Sequence, residues 1–178
     1  GPFRPGDEVF GTCRGSFAEY AVARADRLAS KPDNVSFEQA AVTPISGYAA
    51  LQAGREHGKV EAGQRVLING AGGGVGTVAV QIAKALGAEV TGVCSTAKIE
   101  LVRSIGADHV IDARIQDVAH EVHKLGGADA AVSLAVSNAS FRAAYDSLRR
   151  GGTLVLVALP AGGELTLPVF ETVLNGPR

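Results

Sequence analysis

Eight residues of the chain, Asn69 to Gly76, contain five glycines. They sit in LINGAGGGVGTVAVQIAKALGAEV (67–90), behind an apolar run and ahead of a helical pattern. A backbone that bare lets main-chain N–H groups approach an anion closely, and a helix N-terminus adds partial positive charge. The chemistry served by such a turn is phosphate binding. Read for spacing, Ala71, Gly73 and Gly76 form A-x-G-x-x-G, a variant of the dinucleotide fingerprint. Ala71 is the small residue at the tight turn, Gly73 lies where backbone meets a pyrophosphate, and Gly76 lies where helix packs on strand. Gly72, Gly74 and Val75 complete the predicted cradle, with Gly70 before it. No Gly-Lys-Ser/Thr follows, which excludes a Walker A loop. A glycine-rich turn that holds no ligand is the plain alternative.

The end of the next apolar run bears on which dinucleotide would fit. An NAD site usually places Asp or Glu there, roughly 20 residues past the motif, to hold the ribose 2′-hydroxyl. This chain has Cys94-Ser95-Thr96-Ala97-Lys98. Two hydroxyls (Ser95, Thr96) and one ammonium (Lys98) suit a 2′-phosphate, and the carboxylate that would repel one is absent from the stretch. NADP(H) is therefore the expected cofactor. Lys98 read as a solvated residue at a helix start is the competing view. Leu134 and Ala158, in the later runs ADAAVSL and TLVLVAL, complete the expected cofactor-binding set.

Other chemistry finds little support. The chain has no G-x-S-x-G elbow and no acidic pair in a recognisable context. Cys13 and Cys94 are far apart and form no C-x-x-C; Cys94 reads as a small apolar residue ending a strand. His120 and His123 are three apart on a predicted helix, without a thiolate or carboxylate partner in an obvious position, and read as a polar face. No metal is expected. No general acid can be named.

These residues need a scaffold, and the chain supplies one. Its 178 residues are 46% hydrophobic and 20% charged, ordinary for a soluble α/β protein able to bury a core. A net charge of −1 leaves no footprint for nucleic acid, and no apolar stretch reaches membrane-spanning length. A reduced, cytoplasmic compartment is the default expectation. The chain contains no methionine, so an incomplete sequence is the expectation.

From about Arg65 the pattern alternates strand and helix. VLIN (66–69), EVTGVC (89–94), HVID (109–112), ADAAVSL (128–134) and TLVLVAL (153–159) read as buried parallel strands. Residues 75–86 and 138–149 read as helices, the second ended by Gly151-Gly152; Ala79 and Ala83 keep the first thin enough to lie close to a sheet. This predicts a doubly wound parallel sheet of Rossmann type. Ahead of it, GDEVFG (6–11) and FAEYAVAR (17–24) read as strand-like, and Ser36 as the N-cap of a helix with Glu38 and Gln39 in its first turn.

The stretches RPGDEVFG, GSFAEYAVA, KPDNVSFEQAA, VLINGAGGGVGTVAVQIAKALGAEVTGVCST and ELVRSIGADHVID occur in an order that resembles the medium-chain dehydrogenase/reductases, particularly their zinc-independent quinone oxidoreductase branch. The resemblance covers about residues 3–112. From about Gln116, KLGGADAAVSLAVSNASFRAAYDSLRRGGTLVLVALPAGG is more similar to zinc-dependent alcohol dehydrogenases of the same superfamily.

The resemblance implies part of a GroES-like catalytic domain over residues 1–44 and a dinucleotide-binding domain over 45–178. It also implies a chain lacking both flanks, so that Val9, Phe10, Phe17, Tyr20 and Val22 lack partners and the sheet ends on an open edge after TLVLVAL. Homo-oligomerisation is expected on that account. The implied activity is metal-independent hydride transfer from NADPH to a quinone or other α,β-unsaturated carbonyl, with Ser46 and Tyr48 near the nicotinamide. An alcohol dehydrogenase and a non-catalytic dinucleotide-binding or structural protein are the alternatives.

The chain departs from the family pattern at Ala49, where the branch carries Thr, and at Ala113, where it carries an aromatic. Zinc is not expected, because Cys13 stands alone after GDEVFG and Ser46 stands where a Cys ligand would be.

Overall fold

The computed structural model describes residues 1–158 together with Thr166 and Thr172. It divides into two compact units, Gly1–Tyr48 and Ala49–Arg178.

In the first unit, β1 (Val9–Gly11) pairs antiparallel with β2 (Leu28–Ser30), Val9 opposite Ser30. Helix α1 (Phe37–Leu51), whose residues from Ala49 on are counted with the second unit, has Ser36 as its N-cap as expected. The Gln39 N–H donates to Ser36 Oγ at 3.2 Å and the Ser36 N–H to Gln39 Oε1 at 2.9 Å, a reciprocal capping box. The strand expected at 17–24 does not form. A strand needs a hydrogen-bonded neighbour, and the only pairing described in this unit is a ladder three residues long. Phe17, Tyr20 and Val22 instead stand almost fully exposed, at 107%, 91% and 94%.

Among the described residues, the second unit holds a five-stranded, all-parallel sheet with helices between its strands. Its elements are β3 (Arg65–Asn69), α2 (Gly74–Ala85), β4 (Glu89–Cys94), α3 (Ile99–Ser104), β5 (His109–Asp112), α4 (Val118–Lys124), β6 (Ala128–Ser133), α5 (Asn138–Asp146) and β7 (Leu148–Leu156). The spatial order is β5-β4-β3-β6-β7. The chain winds outward from β3 to β5, then returns to the other side of β3. This is the doubly wound arrangement expected from the alternation, and the crevice where the order reverses opens at the carboxyl ends of β3 and β6.

Alternating residues of the strands feed two cores. Val66, Ile68, Val90, Ala130 and Val132 pack with Ala79, Val80 and Ala83 of α2 and Val102 of α3. Leu67, Val93, Ile111 and Ala131 pack with Val118 and Val122 of α4 and Ala144 of α5. Ala79 and Ala83 are buried, as their placement on the thin face requires.

The junction of α5 and β7 differs from expectation. Helix α5 stops at Asp146 instead of running to residue 149, and β7 spans Leu148–Leu156 instead of 153–159. The pull comes from β6. The Ala128 N–H donates to the Ser147 carbonyl at 2.9 Å, Leu148 pairs with Ala128, and the Arg149 guanidinium bonds Asp129. A register shift between Ala128 and Ala130, with Gly151 at φ +76°, then brings Thr153–Leu156 into line.

Two carboxylates tie the start of the sheet. Asp108 accepts from the Val90 N–H and from Lys84 Nζ, both at 2.7 Å. Asp129 accepts from the Arg65 N–H at 2.7 Å as well as from Arg149. Burial pushes both carboxyls up, but these donors outweigh it and hold both below the ordinary aspartate value. A depressed carboxyl contributes stability above its unfolded pKa of about 3.9 and loses it as pH falls through the lower folded value. The urea midpoint is therefore expected to drop steadily below about pH 4, and Asp129→Asn to flatten the drop. A parent midpoint that stays constant through this acid range would contradict the assignment.

Candidate functional site

The glycine turn lies at the carboxyl end of β3, on the crevice where the strand order reverses. Val93 of the neighbouring strand anchors it: its carbonyl accepts the Gly70 N–H at 3.0 Å and the Ala71 N–H at 2.9 Å. Gly70 takes φ +99°, a conformation glycine adopts without strain. The Gly73 N–H donates back to the Gly70 carbonyl at 3.1 Å, closing a tight turn. Gly73 is then the N-cap of α2, at φ −87° and ψ 173°, with no side chain to satisfy the first-turn amides. Those amides have no carbonyl one turn earlier to bond, and they carry the positive end of the helix.

The two motif glycines are bare for different reasons. A Cβ on Gly76 would lie 2.1 Å from the Gly70 carbonyl oxygen and under 3.0 Å from the Ala71 backbone. The helix sits that close to the turn only because Gly76 has no side chain. A Cβ on Gly73 would meet nothing nearer than the Gly70 oxygen at 3.4 Å, and the residue is exposed. Its bareness relieves no internal crowding; it leaves open the space in front of the amides.

The other expected residues gather around this turn at the carboxyl end of the sheet. Ser95 follows β4 and caps a short 3-10 turn, Thr96–Lys98, with the Lys98 N–H on the Ser95 carbonyl at 2.8 Å. The stem of Lys98 packs on the turn, its Cβ 2.8 Å from where a Gly72 Cβ would be. Leu134 donates its N–H to the Asn69 carbonyl at 2.9 Å, and its Cβ lies 3.2 Å from a Gly70 Cβ position. Ala158 reaches the Ser133 carbonyl at 3.4 Å, beside Leu134. Ser46 and Tyr48 belong to the first unit, on α1.

Sequence reasoning passed over Asp112. It ends β5 opposite Cys94 and is 2% exposed. Its Oδ1 accepts the Arg114 N–H at 2.9 Å, while Oδ2 has no hydrogen-bond partner among the described residues. The Thr96 side chain, the Arg114 N–H and the Arg114 charge outweigh burial and hold its carboxyl below the ordinary value; Thr96 makes no contact to Oδ2 short enough for a bond. Burial and the Asp112 charge push the adjacent Cys94 thiol up, away from nucleophile behaviour. The available signal was a carboxylate closing an apolar strand, one strand beyond the usual place for an acid.

Among the described residues no three His, Cys, Asp or Glu side chains group as a metal ion requires. His123 is engaged by the Asp146 carbonyl at 2.7 Å, and His109 by Glu89 at 2.8 Å. These residues do not fit a zinc ion. No helix among the described residues is long and apolar enough to cross a membrane.

Residues 74–178 match the zinc-binding dehydrogenase family model. An alcohol dehydrogenase of Geobacillus stearothermophilus is 45% identical over 166 residues, covering 92% of this chain and 48% of that protein. The fold superposes on an alcohol dehydrogenase superfamily protein from Novosphingobium aromaticivorans with a TM-score of 0.88 at 33% identity, over 99% of this chain and 54% of the other. It superposes on a Pseudomonas syringae quinone oxidoreductase with a TM-score of 0.82 at 30% identity, over 97% and 55%. The chain spans about half the length of the curated relatives it matches.

Proposed function

The chain belongs to the zinc-binding dehydrogenases of the medium-chain dehydrogenase/reductase superfamily, oxidoreductases that bind a nicotinamide dinucleotide, and from that premise we propose that it binds NADP(H) and serves metal-independent hydride transfer to a quinone or other α,β-unsaturated carbonyl. The observation that carries the reading is the glycine turn at the switch point, open at Gly73 and closed at Gly76. When bound, the cofactor supplies the hydride.

The chain's own contribution is binding and orientation. Ala71, Gly72, Gly73, Gly74 and Val75 form the pyrophosphate cradle, where first-turn amides and the helix dipole receive the charge. Ser95, Thr96 and Lys98 take the 2′-phosphate, and Leu134 and Ala158 flank the dinucleotide at the ends of β6 and β7. The acceptor is a small molecule. β7 is an edge strand among the described residues, which supports self-association with a second copy.

A second reading, alcohol dehydrogenase, is favoured by the name of the Geobacillus relative. Assaying NADPH oxidation with benzoquinone beside NADP+ reduction with a primary alcohol separates the two. Quinone-dependent oxidation is the expected result. Alcohol oxidation alone supports the second reading, and binding without turnover supports a purely cofactor-binding role.

Cofactor choice has its own test. Ser95→Asp places a carboxylate where it repels a 2′-phosphate and accepts from a 2′-hydroxyl. NADPH affinity is expected to fall about tenfold and NADH affinity to rise, read by fluorescence titration at low salt. An unchanged ratio would remove Ser95 from the site.

A further inference from the structure

The end of β5 carries a group that the cofactor reading leaves unused. Asp112 is a buried carboxylate whose Oδ2 no donor satisfies among the described residues. It lies in register with Cys94, one residue before the hydroxyls and lysine assigned to a 2′-phosphate. The strand ends are stitched together there. The Ala113 N–H donates to the Cys94 carbonyl at 3.0 Å, the Arg114 N–H to Asp112 Oδ1 at 2.9 Å, and the Asp112 N–H to Gln116 Oε1 at 2.8 Å. The backbone of Arg114 is thus fixed just past β5, beside the Ser95–Lys98 turn past β4, since neighbouring strands run about 4.8 Å apart.

A phosphate at that turn meets an electrostatic difficulty. Asp112 is charged, and a dianion arriving nearby feels its field. The Arg114 charge acts on that carboxylate, and with Lys98 beside it the strand ends carry a net positive charge toward a phosphate. Both side chains are exposed, and among the described residues neither Lys98 Nζ nor the Arg114 guanidinium has a hydrogen bond or a salt bridge. A guanidinium also matches phosphate oxygens two at a time.

We propose that Arg114 is a second cation for the 2′-phosphate of NADP(H), across the strand ends from Lys98, and that Asp112 is the positioning residue fixing the turn that carries it. The assignment rests on the NADP(H) reading.

The test titrates 2′,5′-ADP and 5′-AMP, which differ only by the 2′-phosphate, into the parent chain and its variants. Arg114→Gln is expected to weaken 2′,5′-ADP about tenfold and leave 5′-AMP within about twofold, with a shallower salt dependence for the former. Asp112→Ala is expected to lose the same selectivity, and Asp112→Asn, which keeps an acceptor for the Arg114 N–H, to restore it. An Arg114→Gln variant that weakens both nucleotides alike would overturn the Arg114 assignment. If the parent prefers 2′,5′-ADP and Arg114→Gln retains that preference in full, the Arg114 assignment is overturned while the cofactor reading stands. If Asp112→Asn fails to restore what Asp112→Ala loses, the positioning role of Asp112 is overturned. A parent with no preference refutes the cofactor reading, and this assignment with it.

Discussion

Gly73→Val is expected to lose dinucleotide affinity by roughly a hundredfold or more while melting like the parent. The two halves of that expectation have separate physical sources. The N-cap conformation of Gly73 lies in the extended region, where a β-branched residue is comfortable. The nearest atom to a Cβ there is a carbonyl oxygen at 3.4 Å, so the fold has room. The two γ-methyls, however, would project into the space through which an anion reaches the first-turn amides of α2. Those amides are the main source of pyrophosphate affinity in this account, so blocking them removes most of it. Circular dichroism melting beside a fluorescence titration reads both halves. Parent-like binding by a folded variant would show that the turn is not the cradle.

Gly76→Val should do the reverse, destabilising the domain by about 3 kcal/mol or more. A Cβ 2.1 Å from the Gly70 oxygen cannot exist without moving α2 off the turn. That movement strips α2 from the core it shares with Val66, Ile68 and Val90. Urea denaturation measures the loss, and parent-like stability would mean the close approach at Gly76 is not structurally required.

Much of this was legible because periodicity and local chemistry agreed. EVTGVC and HVID became β4 and β5 with the expected ends, and Ser36 capped α1 as expected. What misled were features set by distant partners. Phe17–Arg24 has strand-forming residues, but propensity does not make a strand without a neighbour. The glycines at 151 and 152 read as a helix stop. In the fold, Asp129 captures Arg149 and draws Leu148 onward into the sheet, so Gly151 serves a register shift.

The site shows the same division. Its glycine spacing is written in consecutive residues and could be read directly. The contribution of Asp112 and Arg114 depends on β5 lying in register beside β4, which adjacent positions in the chain do not reveal.

This turn, with Ser95, Thr96 and Lys98 beside it, is expected to bind NADPH in preference to NADH. Isothermal titration of the parent chain with each cofactor, at matched pH and low salt, tests it most directly. Saturable one-site binding of both is expected, with NADPH the tighter and its advantage shrinking as salt is raised. Tighter binding of NADH, or heats of dilution only for both cofactors, would contradict it.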